Sequence, residues 1–221
     1  NRIPLGQSII APGSFCPKCG KPLKSRELIP ILSYIFVKGR CRYCKKTISI
    51  QYPVVELLSG LLFLLLYLKF GLSWFSIYYI ILISCLILIT FIDLKHRIIP
   101  DSIVIFCLAA GFIFNSLSMG RPFIDGLLGM AIGGGTLLAI AALSLVIMRK
   151  EGMGGGDIKL MATVGLFLGW KLTILALLLS FYLGGIAGII LLITKRGKPG
   201  DSIPYGPFIA TSSTITILCG T

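Results

Sequence analysis

Residues 172–194 read LTILALLLSFYLGGIAGIILLIT, twenty-three positions without one charged side chain. A segment of that length and polarity limits the fold more than any motif can. In hydrocarbon, every backbone N–H and C=O must be satisfied inside the segment, so it has to be helical. About 20 apolar residues are enough for such a helix to cross the core of a bilayer. YYIILISCLILITFID (78–93) and GLLGMAIGGGTLLAIAALSLVIM (126–148) repeat the pattern. The chain as a whole is 56% hydrophobic and only 13% charged, where soluble domains carry about 25% charged residues. An integral membrane protein follows. Spans are expected at 53–69, 73–93, 101–118, 126–148, 157–170, 172–194 and 204–220. The 157–170 span is short, and Trp170–Lys171 at its end suits an interface. The expected fold is therefore an all-α polytopic membrane protein of seven visible helices, preceded by a small polar region at 1–52. Glycines inside the spans, among them Gly126, Gly129 and Gly133, are read as sites of close helix packing.

The charge of +13 would suit a nucleic-acid binder, but its placement argues for a membrane. Eighteen of the 21 Lys and Arg fall in residues 1–52 and in the loops DLKHRIIPD, RKEGMGGGDIK and KRGKPGDS. The three on the other side are Lys69, Arg121 and Lys171. By the positive-inside rule the first side is cytoplasmic. Asn1 stands where a start Met would, and TITILCGT stops inside an apolar run. Both are expected of a chain lacking some helix at its ends.

Four of the seven cysteines form two pairs, Cys16-x2-Cys19 and Cys41-x2-Cys44. Each pair sets two thiolates on one tight knuckle, and two knuckles complete the tetrahedral S4 set that structural zinc prefers. Gly20 suits the backbone reversal of the first knuckle, and a reducing cytoplasm favours metal over two disulfides. With all four positions filled, such a metal would hold a fold and do no chemistry. Cys85, Cys107 and Cys219 lie singly in apolar runs and read as packing residues.

The chain has only eight acidic residues. Asp93 ends one span, Asp101 opens the next, and Asp157 opens another after the glycine run of GMGGGDIK. The topology puts all three at the cytoplasmic ends of their helices. Asp101 and Asp157 could each serve merely as helix caps. Asp93 is harder to excuse, because the dipole at a helix C-terminus disfavours a negative charge; Lys95, His96 and Arg97 would offset it in part. His96, the single histidine, reads as a solvated loop cation. Two aspartates at one depth make a candidate dyad in which one keeps its proton and the other activates water. HExxH is absent, and GMGGGDIK lacks the GK[ST] ending of a phosphate loop. On these residues alone two readings stand: an aspartyl membrane protease, or a zinc-bearing membrane transporter or assembly scaffold.

Gly154-Gly155-Gly156-Asp157 resembles the GxGD signature of intramembrane aspartyl proteases. NRIPLGQSIIAPGSFCPKCG, QYPVVELLSG, IDLKHRIIPD and IPYGPFIA, in that order, resemble the pattern of the type IV prepilin peptidases (leader peptidase/N-methyltransferases). The resemblance spans nearly the whole chain. It implies cleavage of basic leaders from prepilins or pseudopilins after a glycine, in the service of type IV pili or protein secretion. It also implies Asp93 and Asp157 as the catalytic pair, with Asp101, Gly154, Gly156 and Lys159 supporting them. S-adenosylmethionine-dependent N-methylation of the new terminus is implied, with no residue assignable to that cofactor. So too are a location in the bacterial inner membrane with the site facing the cytoplasm, and a further helix before Asn1, for eight in all. Neither reading calls for nucleic acid. A basic leader would need an acidic groove, for which Glu27, Glu56, Glu151 and Asp201 are candidates.

Overall fold

In the computed structural model the described residues are 13–117, 122–148, 152–194 and 203–220. They form seven α-helices and no strand beyond two isolated bridges, Phe15 with Pro22 and Arg40 with Thr47. The chain divides into two compact units, Asn1–Leu65 and Leu66–Thr221. The first unit holds the cysteine pairs, a 3-10 turn at Ser25–Leu28, helix α1 (Leu32–Phe36) and most of α2 (Gln51–Phe70). The second holds α3 (Trp74–His96), α4 (Asp101–Ser116), α5 (Phe123–Met148), α6 (Gly155–Ile193) and α7 (Gly206–Cys219).

Four of these helices, α2, α3, α5 and α6, are long and apolar enough to cross a bilayer, and α4 and α7 are shorter apolar helices. The seven expected spans thus map onto six helices. The difference lies in α6, which runs through both 157–170 and 172–194 but is broken at Gly169, where φ is 74° and ψ 169°. At that break the chain turns back. A β-carbon on Gly133 of α5 would lie 2.6 Å from the Met161 carbonyl oxygen and 3.2 Å from Thr173 Cγ2. In a straight helix residues 161 and 173 would stand about 18 Å apart. The first arm, Gly155 to Leu168, is about 21 Å long, short of the roughly 30 Å hydrocarbon core.

Positive φ at Gly169 is open to glycine at no steric cost, and the Asp125 carboxylate fills the space where a side chain would go. Gly169→Ala therefore combines a left-handed strain with a collision. It is expected to lower the yield of folded, detergent-extractable protein severely, as read by size-exclusion chromatography.

Helices α5 and α6 approach through their glycines. A methyl on Gly129 would run into the Gly165 carbonyl, and one on Gly165 into that of Gly129. The small residues are packing surfaces that bring two backbones together, as expected from the sequence. Tyr78 and Asn115 share the buried core, the Asn115 amide donating to Tyr78 Oη at 2.8 Å and to the Leu166 carbonyl at 3.1 Å. That network satisfies polar groups which would be costly unpaired in an apolar interior.

Candidate active site and metal centre

The break in α6 decides where its N-terminus lies. Because the first arm is short and folded back, Asp157 and Ser180 come to the same end of the unit. Tyr205, just before α7, meets both: its hydroxyl is 2.7 Å from Ser180 Oγ, and it lies within electrostatic reach of the Asp157 carboxylate. The next residue, Gly206, donates its backbone N–H to Asp93 Oδ2 at 3.0 Å. Asp93 in turn lies within electrostatic reach of Asp157. Two carboxylates separated by 63 residues of sequence thus converge where the end of α3 meets the starts of α6 and α7.

Each carboxylate is placed by backbone. Asp93 is buried, 4% exposed. The expectation that Lys95, His96 and Arg97 would offset its charge is not met: all three are exposed, and Asp101–Lys159 is the ion pair formed among the described residues. The compensation comes instead from α7. Asp93 sits at the C-terminal end of its own helix but at the N-terminal end of α7, where unpaired N–H groups and the helix dipole favour a negative charge. Pro207 supports that start, since its missing N–H would be an orphan there anyway.

Asp157 is half-buried in the first turn of α6, and its carboxylate interacts with the N–H of Gly154, the N-cap residue. Gly156 presses against Ile99, whose Cβ is 3.0 Å from where a β-carbon on Gly156 would stand. A larger residue there would push the loop after α3 away from the α6 terminus.

Asp101 is the first residue of α4, just after the N-cap residue Pro100. Its Oδ1 accepts from Lys159 Nζ at 2.9 Å. This pair links the start of α4 to α6 near Asp157, with both side chains more than half exposed. Exposed pairs contribute about 1 kcal/mol or less. Asp101→Asn is therefore expected to reduce activity by less than about tenfold, as measured by initial rates of substrate cleavage in detergent.

Reasoning from the sequence did not single out Tyr205, Gly206 or Ser180. IPYGPFIA carried part of the family resemblance and overlapped the expected span 204–220, but nothing in it reported that the helix start would meet Asp93. Of the acids considered for a basic leader, Glu56 Oε2 is taken by the Ile31 N–H at 2.7 Å, and Glu27 Oε2 by the Lys24 N–H at 2.9 Å. Glu151, Asp201 and the stretch NRIPLGQSIIAP lie outside the described residues.

In the N-terminal unit, Cys16, Cys19, Cys41 and Cys44 bring their sulfurs within 4.8 Å of one another, all as free thiols. The two knuckles repeat one backbone pattern. Gly20 N–H donates to the Cys16 carbonyl and Lys45 N–H to that of Cys41, at 2.8 and 2.9 Å; Cys16 and Cys41 N–H donate to Lys21 and Lys46. Gly20 and Lys45 take the same left-handed conformation, at φ 71° and 57°.

The backbone N–H groups of Cys44 and Tyr43 hold the Cys41 thiol down at about 7. At Cys19 the N–H of Lys21 also favours the thiolate, but burial and the three neighbouring thiols outweigh it and push the group up to about 11. Four thiolates this close repel unless a cation sits among them. The donor set, its convergence and its backbone hydrogen bonds fit a divalent metal of tetrahedral S4 preference. A strong chelator should therefore open residues 13–50 to protease while 66–221 stays resistant, as seen by limited proteolysis with mass readout.

A groove of about 820 Å³ beside this cluster is lined by Phe36, Val37, Lys38, Arg40, Cys41, Arg42 and Lys45. It has no carboxylate for a ribose diol and four positive charges facing any sulfonium. The groove does not fit S-adenosylmethionine.

The fold and site define a helical protein with membrane-spanning features, a pair of aspartates, one buried and one half-buried, at one end of the bundle, and a four-cysteine module. Family models place it further. Residues 1–70 match the bacterial peptidase A24 N-terminal domain, and residues 80–189 match the type IV leader peptidase family. A prepilin leader peptidase/N-methyltransferase of Bacillus subtilis (strain 168) is 39% identical, over 99% of this chain and 86% of that protein. Proteins of the same name from Aeromonas salmonicida (strain A449) and Neisseria gonorrhoeae are 37% and 36% identical. They align with 96% and 94% of this chain and with 73% and 71% of their own lengths. The chain belongs to the type IV prepilin leader peptidase family. No solved structure matches it.

Proposed function

We propose that this chain is a membrane-embedded aspartic endopeptidase that removes the basic leader from prepilins or pseudopilins and then N-methylates the new N-terminal residue. The observation that carries the peptidase half is the convergence of Asp93 and Asp157 at the N-terminus of α7. Residues 53–221 form the protease domain on this reading and 1–52 a zinc-knuckle domain.

Like charges held this close do not both ionise freely, so the pair holds one proton between them. The ionised carboxylate takes a proton from water as its oxygen attacks the carbonyl carbon of the scissile peptide. The protonated one donates to the carbonyl oxygen. Collapse of the tetrahedral intermediate breaks the C–N bond, and the amine leaves with a proton returned by the pair. Gly154, Gly155 and Gly156, on the approach to Asp157, leave room for extended substrate backbone. Tyr205 braces the start of α7 against the second arm of α6, and Gly206 holds Asp93 in register with Asp157.

Asp93 and Asp157 belong to helix ends that adjoin the Lys- and Arg-rich loops of the sequence, which supports cleavage at the cytoplasmic face of the inner membrane. Zinc at the four cysteines would supply folding free energy to the N-terminal module and no step of hydrolysis. S-adenosylmethionine is the methyl donor that family membership implies.

Co-expression with a prepilin tests the proposal. A processed product whose N-terminal peptide is also one methyl group heavier supports both activities. An unprocessed prepilin in the presence of inserted enzyme would favour a scaffold or transporter.

A further inference from the structure

We infer that the cysteine-bearing module docks on an anionic phospholipid surface through α1 and the basic groove behind it. Helix α1 exposes Leu32, Ile35 and Phe36, at 51%, 61% and 81%. A free-standing soluble module of this size would not leave three large apolar side chains of one short helix so bare.

Its position says what covers it. The N–H of Ile31, the residue before α1, is bonded to Glu56 on the second turn of α2. Glu56 lies about 8 Å along α2 from Gln51, so α1 starts beside the point where α2 enters the bilayer. That is headgroup depth, where short apolar elements with flanking cations settle.

The charge beside the helix selects the lipid. Lys38, Arg40, Arg42 and Lys45 surround the groove next to Phe36, and an anionic leaflet attracts such cations strongly. The same four charges argue against the other occupants. A basic leader peptide would be repelled. A second copy meeting this patch about a two-fold axis would set the like charges of both copies face to face.

The test uses the full chain, metal-loaded, in nanodiscs whose lipid acyl chains are brominated. Phe36→Trp is made in a Trp74→Phe/Trp170→Phe background, so that one indole reports. In phosphatidylglycerol its emission should be blue-shifted and quenched at least about twofold more than in phosphatidylcholine. Combined Lys38→Gln and Arg40→Gln, both outside the CxxC knuckles, should shrink that difference while metal content stays unchanged.

Equal quenching in the two lipids would overturn the inference. So would blue-shifted emission without quenching, which would mean that protein covers the patch.

Discussion

Replacing Asp157 by Asn is expected to cut prepilin cleavage by at least about a thousandfold, and Asp93→Asn to do the same, because acid–base catalysis of this kind contributes 10²–10⁴-fold. Each substitution keeps the shape of the side chain and removes only its ability to exchange a proton. At position 93 the amide oxygen of Asn can still accept the Gly206 N–H that Asp93 Oδ2 accepts at 3.0 Å, so the start of α7 stays in place. Both variants should insert and extract like the parent protein. Processing is read by the mass of the prepilin N-terminus, and insertion by the yield of monodisperse enzyme. Asp101→Asn, which breaks only an exposed ion pair, is the internal contrast. If either Asp93 or Asp157 tolerates Asn as well as position 101 does, the pair is not the catalytic unit.

The second large effect is expected at a residue with no side chain. A β-carbon on Gly206 would stand 2.7 Å from Asp93 Oδ2 and 3.3 Å from its Cγ. Gly206→Ala must therefore displace either the carboxylate or the start of α7, and the 3.0 Å hydrogen bond goes with it. Displacements of about 1 Å at a reacting group can cost on the order of a hundredfold. Cleavage should fall by about that factor, with an unchanged KM if the substrate helix is gripped elsewhere. Gly185→Ala is the control: a β-carbon there meets nothing within 4 Å, so activity should hold.

Much of this was legible because the bilayer leaves a chain few options. Uncharged runs had to become helices, glycines within them offered sites of close packing, and each CxxC suited a knuckle. The structure repeats those inferences in Gly129 against Gly165 and in the matched backbones of Gly20 and Lys45. Asp93 and Asp157 were legible as a pair because the lysine and arginine distribution put both at one depth.

What escaped was what depends on how helices meet. From the sequence, Asp93 sat at the unfavourable end of its helix and needed cations nearby. Only the packing of α7 onto α3 turns that end into the favourable end of another helix. Likewise, Trp170–Lys171 marked an interface, but the fold-back at Gly169 shows in a single torsion rather than in any periodicity. Ser180 and Tyr205 look like ordinary span residues until that fold-back brings Ser180 to the level of Asp157.

Whether Asp93 and Asp157 form one site is read by oxidative cross-linking in membranes. The pair Asp93→Cys and Asp157→Cys would be introduced in a chain with Cys85, Cys107 and Cys219 replaced by Ala. Mild oxidation is expected to yield a disulfide-linked peptide joining residues 93 and 157, detected by mass. Asp125→Cys paired with Asp157→Cys, at opposite ends of the first arm of α6, should give none. Failure of the 93–157 pair to cross-link in folded protein would mean that the two carboxylates do not share a site.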